Sequence, residues 1–73
     1  MTDKGKYKRL QNIIIRECID ARNRSKAALK AGNGDDSARY LDIYSVLADV
    51  IREANDFEFM DAFVEASRRE ASA

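Results

Sequence analysis

One thiol and a set of carboxylates are the groups in this sequence that could do chemistry, and their arrangement favours neither catalysis nor metal binding. The 73 residues include no histidine, so the commonest general base is missing. Cys18 is the single cysteine, whereas a zinc site needs about four cysteine or histidine ligands. Cys18 falls at helical spacing on an apolar face, which is typical of a buried core thiol. The sequence predicts no enzyme and no cofactor.

The segment NGDDSARYLDIY, residues 33–44, begins like an acidic calcium-binding loop. An EF-hand loop requires glycine at its sixth position and glutamate at its twelfth. This segment has Ala38 and Tyr44 there instead. Other acids, such as Asp49 and Glu53, recur at helical spacing and are typical of a solvated helix face. The sequence therefore predicts no metal site.

Charge is divided unevenly along the chain. Residues 1–31 hold nine basic and three acidic residues, a net of +6, whereas residues 32–73 hold four basic and ten acidic residues, a net of −6. The stretch KGKYKR also places an aromatic ring among basic residues, which suits phosphate contacts and base stacking. The candidate nucleic-acid contacts are Lys6, Tyr7, Lys8, Arg9, Arg16, Arg22, Arg24 and Lys26. The competing interpretation is that a basic helix pairs with the acidic half of its own chain.

Helices must position these residues, because the chain has no proline, three glycines and 45% hydrophobic residues. The strongest break is AGNGDD, residues 31–36, where Gly32 can close a helix in the left-handed conformation. Asp35, Asp36 or Ser37 can then cap the next helix. Because the turn is short, the helices on either side should be antiparallel neighbours.

A weaker break is expected near Asn55, which together with Glu58 resembles a capping box. Beyond it the apolar residues cluster on a different side from those of the second helix. The sequence predicts an all-α single domain over residues 1–73, an antiparallel helical hairpin with a third C-terminal helix or a long bent second helix. The expected bounds are about 4–31 for helix 1, 32–36 for the turn, 37–54 for helix 2 and 57–70 for helix 3.

Three consecutive isoleucines, residues 13–15, indicate that the first helix has more than one partner. On a helical wheel Ile14 lies on the main apolar face, Ile15 and Ile19 lie on one flank, and Ile13 lies on the other. A domain this short buries only about 60% of its unfolded surface, and a second subunit is a common remedy. We predict a homodimeric helical bundle with Ile13, Ile15 and Ile19 in the self-association seam. The alternative is a monomer in which the third helix covers one flank.

Function must then come from a surface that binds another molecule. Large aromatic and methionine side chains dominate interface energies, and four of them fall in the third helix, namely Phe57, Phe59, Met60 and Phe63. Small helical proteins are commonly regulators, adaptors or inhibitors, including ones encoded by phages and plasmids. We predict a non-enzymatic regulatory or adaptor protein that binds an unidentified target protein and inhibits or bridges it sterically. The alternatives are a dimeric nucleic-acid-binding regulator using the basic N-terminal helix, and an acidic half that mimics nucleic acid.

The expected location is the cytoplasm. No stretch approaches the ~18 consecutive apolar residues of a membrane span, so no membrane partner is predicted. The basic N-terminus is followed by no apolar segment of signal-peptide length. A lone thiol also agrees with a reducing compartment.

Overall fold

Three α-helices make up the protein in a computed structural model that describes residues 3–72, with side chains described for residues 3–70. Helix α1 spans Asp3–Lys30, α2 spans Gly34–Glu53 and α3 spans Phe57–Ser72. No strand occurs within residues 3–72. The all-α prediction is confirmed, and α2 and α3 are separate helices rather than one long bent helix.

Gly32 closes α1 in the left-handed conformation, with a φ of 79°. Its N–H donates to the carbonyl of Leu29 at 3.1 Å, and the N–H of Asn33 donates to the carbonyl of Ala28 at 2.8 Å. These two bonds form a Schellman motif, which satisfies carbonyls that the helix end would otherwise leave free. The prediction that Gly32 ends the first helix is confirmed.

Asn33 caps α2, so the prediction that Asp35, Asp36 or Ser37 does so is wrong. The Asn33 side-chain oxygen accepts a hydrogen bond from the N–H of Asp36 at 3.2 Å, and its amide donates to the Asp36 carboxylate at 2.8 Å. Asparagine is among the strongest N-cap residues, and here it also takes part in the motif that closes α1. Because Asn33 both takes part in closing α1 and caps α2, the second helix begins at the next residue, Gly34.

The second turn is made by Asn55 and Asp56. Asn55 has a φ of 50°, a left-handed conformation that asparagine tolerates better than most residues. Asp56 then accepts hydrogen bonds through Oδ1 from the N–H groups of Glu58 at 3.0 Å and Phe59 at 3.3 Å. The capping box predicted at Asn55 is therefore wrong, because Asn55 ends one helix and its neighbour caps the next.

Helix α1 packs chiefly against α2. The Cys18 thiol donates to the carbonyl of Tyr44 at 3.7 Å, and the Ser25 hydroxyl donates to the carbonyl of Ser37 at 2.9 Å. As the contacts advance along α1, their partners move back toward the start of α2. These two contacts therefore fix which residues of the helices lie level with one another.

The core is small and lies where the three helices meet. Its buried apolar members are Ile15, Cys18, Ile19, Ile51 and Phe59. Around them pack apolar side chains that are only partly buried: Ile14, Tyr44, Leu47, Ala48, Met60, Phe63 and Ala66. Much of the apolar surface of the chain is therefore left in contact with solvent.

The structure separates the isoleucines that the sequence assigned to one seam. Ile15 and Ile19 are 6% and 7% exposed, because α3 covers their flank of α1. Ile13 lies on the other flank and is 39% exposed. Because α3 already buries Ile15 and Ile19, they need no second subunit to cover them. Ile13 is still exposed and remains a candidate for self-association.

Candidate protein-binding surfaces

Aliphatic side chains of α1 and α2 remain uncovered on the side of the helix pair that faces away from α3. We term this surface the open face. Its members are between 39% and 63% exposed: Leu10, Ile13, Ile43, Val46 and Val50. None of these five residues belongs to the buried core.

Helix geometry places these side chains on one side of the molecule. Successive residues rotate by about 100° around a helix, so Leu10 points about 180° away from Ile19, which lies under α3. On α2, Val46 points about 160° away from Ala48, which packs against the core. Both exposed flanks are thus turned away from α3.

The two flanks lie level with one another along the helix pair. The level contacts at Cys18–Tyr44 and Ser25–Ser37 place Ile13 level with the segment of α2 that carries Val46 and Val50. A shallow depression of about 310 Å³ lies on this surface, lined by Asp42, Ile43, Val46 and Leu47. Contiguous apolar patches of a few hundred Å² on a small protein mark interaction sites.

The second uncovered surface is an edge of α3 that we term the Phe57 edge. It comprises Phe57, Met60 and Val64, which share one side of the helix at spacings of three and four residues. Phe57 is 85% exposed, Val64 is half-exposed and Met60 is half-buried. Leaving a large apolar side chain in water forfeits ~1.5–3 kcal/mol relative to burying it. An exposed phenylalanine at the first position of a helix is therefore a candidate anchor for a partner.

The four residues predicted to bind a partner occupy different environments. Phe57 projects into solvent, whereas Phe59 is 3% exposed and belongs to the core. Met60 and Phe63 are half-buried and pack against that core. Phe57 exposes the largest apolar surface of the four residues, and Phe59 exposes almost none.

Asp56 fixes the position of Phe57 by joining the start of α3 to α1. Its Oδ2 accepts hydrogen bonds from the Gln11 amide at 3.1 Å and the Tyr7 hydroxyl at 3.3 Å, while Oδ1 caps α3. The N–H of Phe59 and then the Gln11 amide hold the pKa of Asp56 below its ordinary value, against the opposing effect of desolvation. The anchor therefore follows a turn that hydrogen bonds hold against α1. Sequence reasoning missed this role because the contacts to α1 are 45 and 49 residues away along the chain.

We expect Asp56 to make the fold sensitive to acid. Since folding lowers the pKa of Asp56, its carboxylate stabilises the fold above the ordinary value of 3.8, and that contribution is lost as pH falls through the lower folded value. Asp56→Asn keeps a capping side chain but removes the charge. It should lower the free energy of unfolding at neutral pH and reduce the further loss on acidification. Urea unfolding at about pH 7 and about pH 3 measures both effects.

Asp61→Asn is the matched control, because Asp61 is an exposed carboxylate on the same helix. It should show the same difference between the two pH values as the wild-type chain. If Asp56→Asn also shows that full difference, the charge on Asp56 is not what stabilises the turn.

Cys18 is placed as the sequence analysis predicted, in the interior. It is completely buried between α1 and α2. Burial raises the pKa of the Cys18 thiol above 9.0, despite the opposing charge of Arg22. The thiol therefore stays protonated at neutral pH and acts as a small apolar core group.

The basic residues proposed to contact nucleic acid lie along α1, and several have acidic neighbours. Lys6, Arg9 and Lys26 are exposed, and Arg22 is half-buried. Three others have a carboxylate within 4.0 Å: Lys8 pairs with Glu58, Arg16 with Glu17, and Arg24 with Asp20. Nearby carboxylates weaken the attraction of these three cations for phosphate.

A groove of about 360 Å³ separates α1 from the C-terminal half of α3. Its apolar floor is formed by Ile15, Ile19 and Ala66, and its rim includes Arg16 and Arg69. Because Ile15 and Ile19 are already buried, filling the groove would remove little apolar surface from water. A partner would remove more apolar surface from water at the open face or at the Phe57 edge.

No match to a known protein accompanies this geometry. Comparison with family models, with curated proteins and with solved structures finds none. The function of the chain must therefore be argued from its own surfaces.

Two further features of the described part of the chain bear on function. Among residues 3–70, no three cysteine or acidic side chains are gathered in a way that could hold a metal ion. None of the three described helices combines the length and the apolar character that crossing a membrane requires.

Sequence reasoning missed most of the open face. Leu10, Ile43, Val46 and Val50 share helix faces with residues that do enter the core, so a wheel assigns them to the core as well. The sequence signal for this surface is the width of the apolar face on each helix. On both α1 and α2 it is wider than the stripe that one helix–helix contact covers. Ile13 was the one member that the isoleucine run identified.

Proposed function

We propose that this chain is a non-enzymatic regulator or adaptor that self-associates as a homodimer and acts by binding a target protein. In this proposal α1 and α2 form an antiparallel hairpin, α3 lies across it, and the dimer is a helical bundle in the cytoplasm. Its mechanism is steric, since a helical surface occupies, bridges or masks a surface of the target. The observation that carries the proposal is the exposure of large apolar side chains on two separate sides of a chain with a small core.

The energetic argument compares what is buried with what is left in water. Each large aliphatic or aromatic side chain contributes ~1.5–3 kcal/mol on full burial, and a domain is typically stable by only ~5–15 kcal/mol. Burying the five residues of the open face together with Phe57 would therefore add a large amount to the free energy of unfolding. A partner that buries them stabilises the fold by mass action.

Two surfaces suit two partners. The open face is broad and aliphatic and draws on both long helices, as a subunit interface does. The Phe57 edge is narrow, with one projecting aromatic ring next to the hydrogen-bonded turn at Asp56. A rigid aromatic side chain gives much contact area for little loss of conformational entropy, which suits an anchor for a target.

We expect Phe57→Ala to abolish target binding and leave the fold intact. Removing an 85% exposed ring should change the free energy of unfolding by less than ~1 kcal/mol. The measurement is quantitative capture from an extract of the native host, comparing the immobilised wild-type chain with the variant. Proteins retained by the wild-type chain and lost with Phe57→Ala are the expected targets.

Leu29→Ala is the control, because Leu29 is 67% exposed near the end of α1 and belongs to neither proposed surface. It should capture the same proteins as the wild-type chain. Identical capture by wild type and Phe57→Ala would contradict the assignment of Phe57 as the anchor.

The alternative function is a nucleic-acid-binding regulator, favoured by the net charge of +6 on α1, which has nine basic and three acidic residues. Fluorescence anisotropy with a DNA duplex separates the two functions. Micromolar binding at about 150 mM salt, lost when Lys6, Arg9 and Lys26 are neutralised together, would favour nucleic acid. Protein binding predicts no such affinity at that salt concentration.

A further inference from the structure

We propose that the open face binds a second copy of this chain about a two-fold axis parallel to the helices, so that α1 of each copy packs on α2 of the other. This inference rests on the self-association in the proposed function, and it specifies the surface and the symmetry. A two-fold dimer requires one surface that is complementary to itself. The open face meets that requirement in area, in apolar character and in charge.

The area of the open face fits a dimer of this size. The 20 residues of α2 extend about 30 Å, and two adjacent helices present a width of about 20 Å. The resulting footprint of the helix pair, about 600 Å² per copy, approaches the ~800 Å² per partner of a standard stable interface. The five aliphatic members lie along about 14 Å of this length, from Ile43 to Val50 on α2 with Leu10 and Ile13 beside them on α1, so they form an apolar centre flanked by polar residues.

Charge selects the symmetry. At about 100° per residue, the charged residues of α1 that point toward the open face include Lys6 and Arg24 but also Glu17 and Asp20, whereas those of α2 are Asp35, Asp36, Glu53 and Arg39. A two-fold axis perpendicular to the helices and lying in the plane of the interface would stack α1 on α1 and α2 on α2. The axis parallel to the helices stacks α1 on α2 twice, which places Lys6 near the partner's Glu53 and Arg24 near the partner's Asp36. Pairing opposite charges in this way favours association and suppresses the competing register.

Specific charged residues lie on the open face itself. At about 100° per residue, Lys6 points within about 20° of Ile13, and Glu53 points within about 20° of Val46. The proposed axis keeps each residue at its own level along the helices. Lys6 of one copy therefore lies within about one helical turn of the partner's Glu53, and the reciprocal pair forms by symmetry.

The first experiment introduces a carboxylate into the open face. Val46→Glu and, separately, Ile13→Glu should raise the dimer dissociation constant by about 100-fold or more, because a buried carboxylate must be desolvated. Sedimentation equilibrium measures the mass, and far-UV circular dichroism verifies that the variants remain helical. Leu41→Glu is the matched control, since Leu41 is half-exposed on the same helix and points about 140° away from Val46. Leu41→Glu should remain a dimer.

The second experiment exchanges charges. Lys6→Glu and Glu53→Lys should each weaken the dimer, because each leaves like charges opposed in both symmetry-related pairs. The double variant restores opposite charges and should recover the wild-type dissociation constant. An arrangement of α1 on α1 predicts no such recovery.

The outcomes separate this inference from the proposal beneath it. If the wild-type chain is a dimer that survives both Val46→Glu and Ile13→Glu, the open face is not the interface, although the self-association stands. Equal disruption by Leu41→Glu would also overturn the assignment of the face. Failure of the double charge variant to recover overturns the proposed symmetry. A wild-type chain that stays monomeric at about 100 μM overturns the inference together with the self-association on which it rests.

Discussion

Replacing Phe59 by alanine is expected to lower the free energy of unfolding by about 3–5 kcal/mol. The ring of Phe59 is 3% exposed and lies in the core with Ile15, Ile19 and Ile51. At ~0.05–0.15 kcal/mol per residue, a chain of 73 residues is stable by only about 4–11 kcal/mol. The variant should therefore be close to unfolding at room temperature. Urea or thermal unfolding followed by circular dichroism measures the loss.

Phe57→Ala is the internal control for this measurement. It removes the same side chain two residues earlier in the same helix, at a position that is 85% exposed instead of 3%. The expected change is below ~1 kcal/mol. A loss at Phe57 that approaches the loss at Phe59 would place Phe57 in the core and leave the target surface without its anchor.

Ile15→Glu is expected to unfold the chain, whereas Ile13→Glu should leave it folded. Ile15 is 6% exposed, so a glutamate there would bury an unpaired carboxylate at a cost of several kcal/mol. Ile13 is 39% exposed in the single chain, and a glutamate there can remain hydrated. Circular dichroism should show lost helicity for Ile15→Glu and full helicity for Ile13→Glu.

The pair also tests which isoleucine faces a second copy. Sedimentation should show Ile13→Glu as a folded monomer under conditions in which the wild-type chain is a dimer. If Ile15→Glu is instead the folded monomer, then α3 does not cover that flank of α1 in solution. The seam predicted from the sequence at Ile15 and Ile19 would then be restored.

Sequence reasoning anticipated the helical class because the relevant signals are local. The absence of proline and the position of Gly32 divide the chain in a way that neighbouring residues alone determine. The caps were harder to predict, because several adjacent residues can do the same work. Asn33 and the acids after it are all candidate caps for α2, and Asn55 and Asp56 are both candidate caps for α3. In each case the choice depends on which residue also closes the preceding helix.

The distribution of the apolar residues could not be settled from the sequence. A helical wheel shows that Ile13 and Ile15 lie on different flanks of α1, but the flank that α3 covers is set by the turn at Asn55 and Asp56. That turn is held in place by Tyr7 and Gln11, which are distant in sequence. A helical wheel separates Phe57 from Phe59 by about 160°, but the same turn determines which of the two faces the core, so the sequence predicts both as partner-binding residues although Phe59 is buried.

Sedimentation equilibrium of the wild-type chain at tens of micromolar is the most direct test of the central claim, which is that the open face is covered by a second copy. We expect a mass of twice the 8.3 kDa of one chain, falling toward a single chain mass on dilution and for Val46→Glu. A fully helical wild-type chain that sediments as 8.3 kDa throughout would contradict the claim.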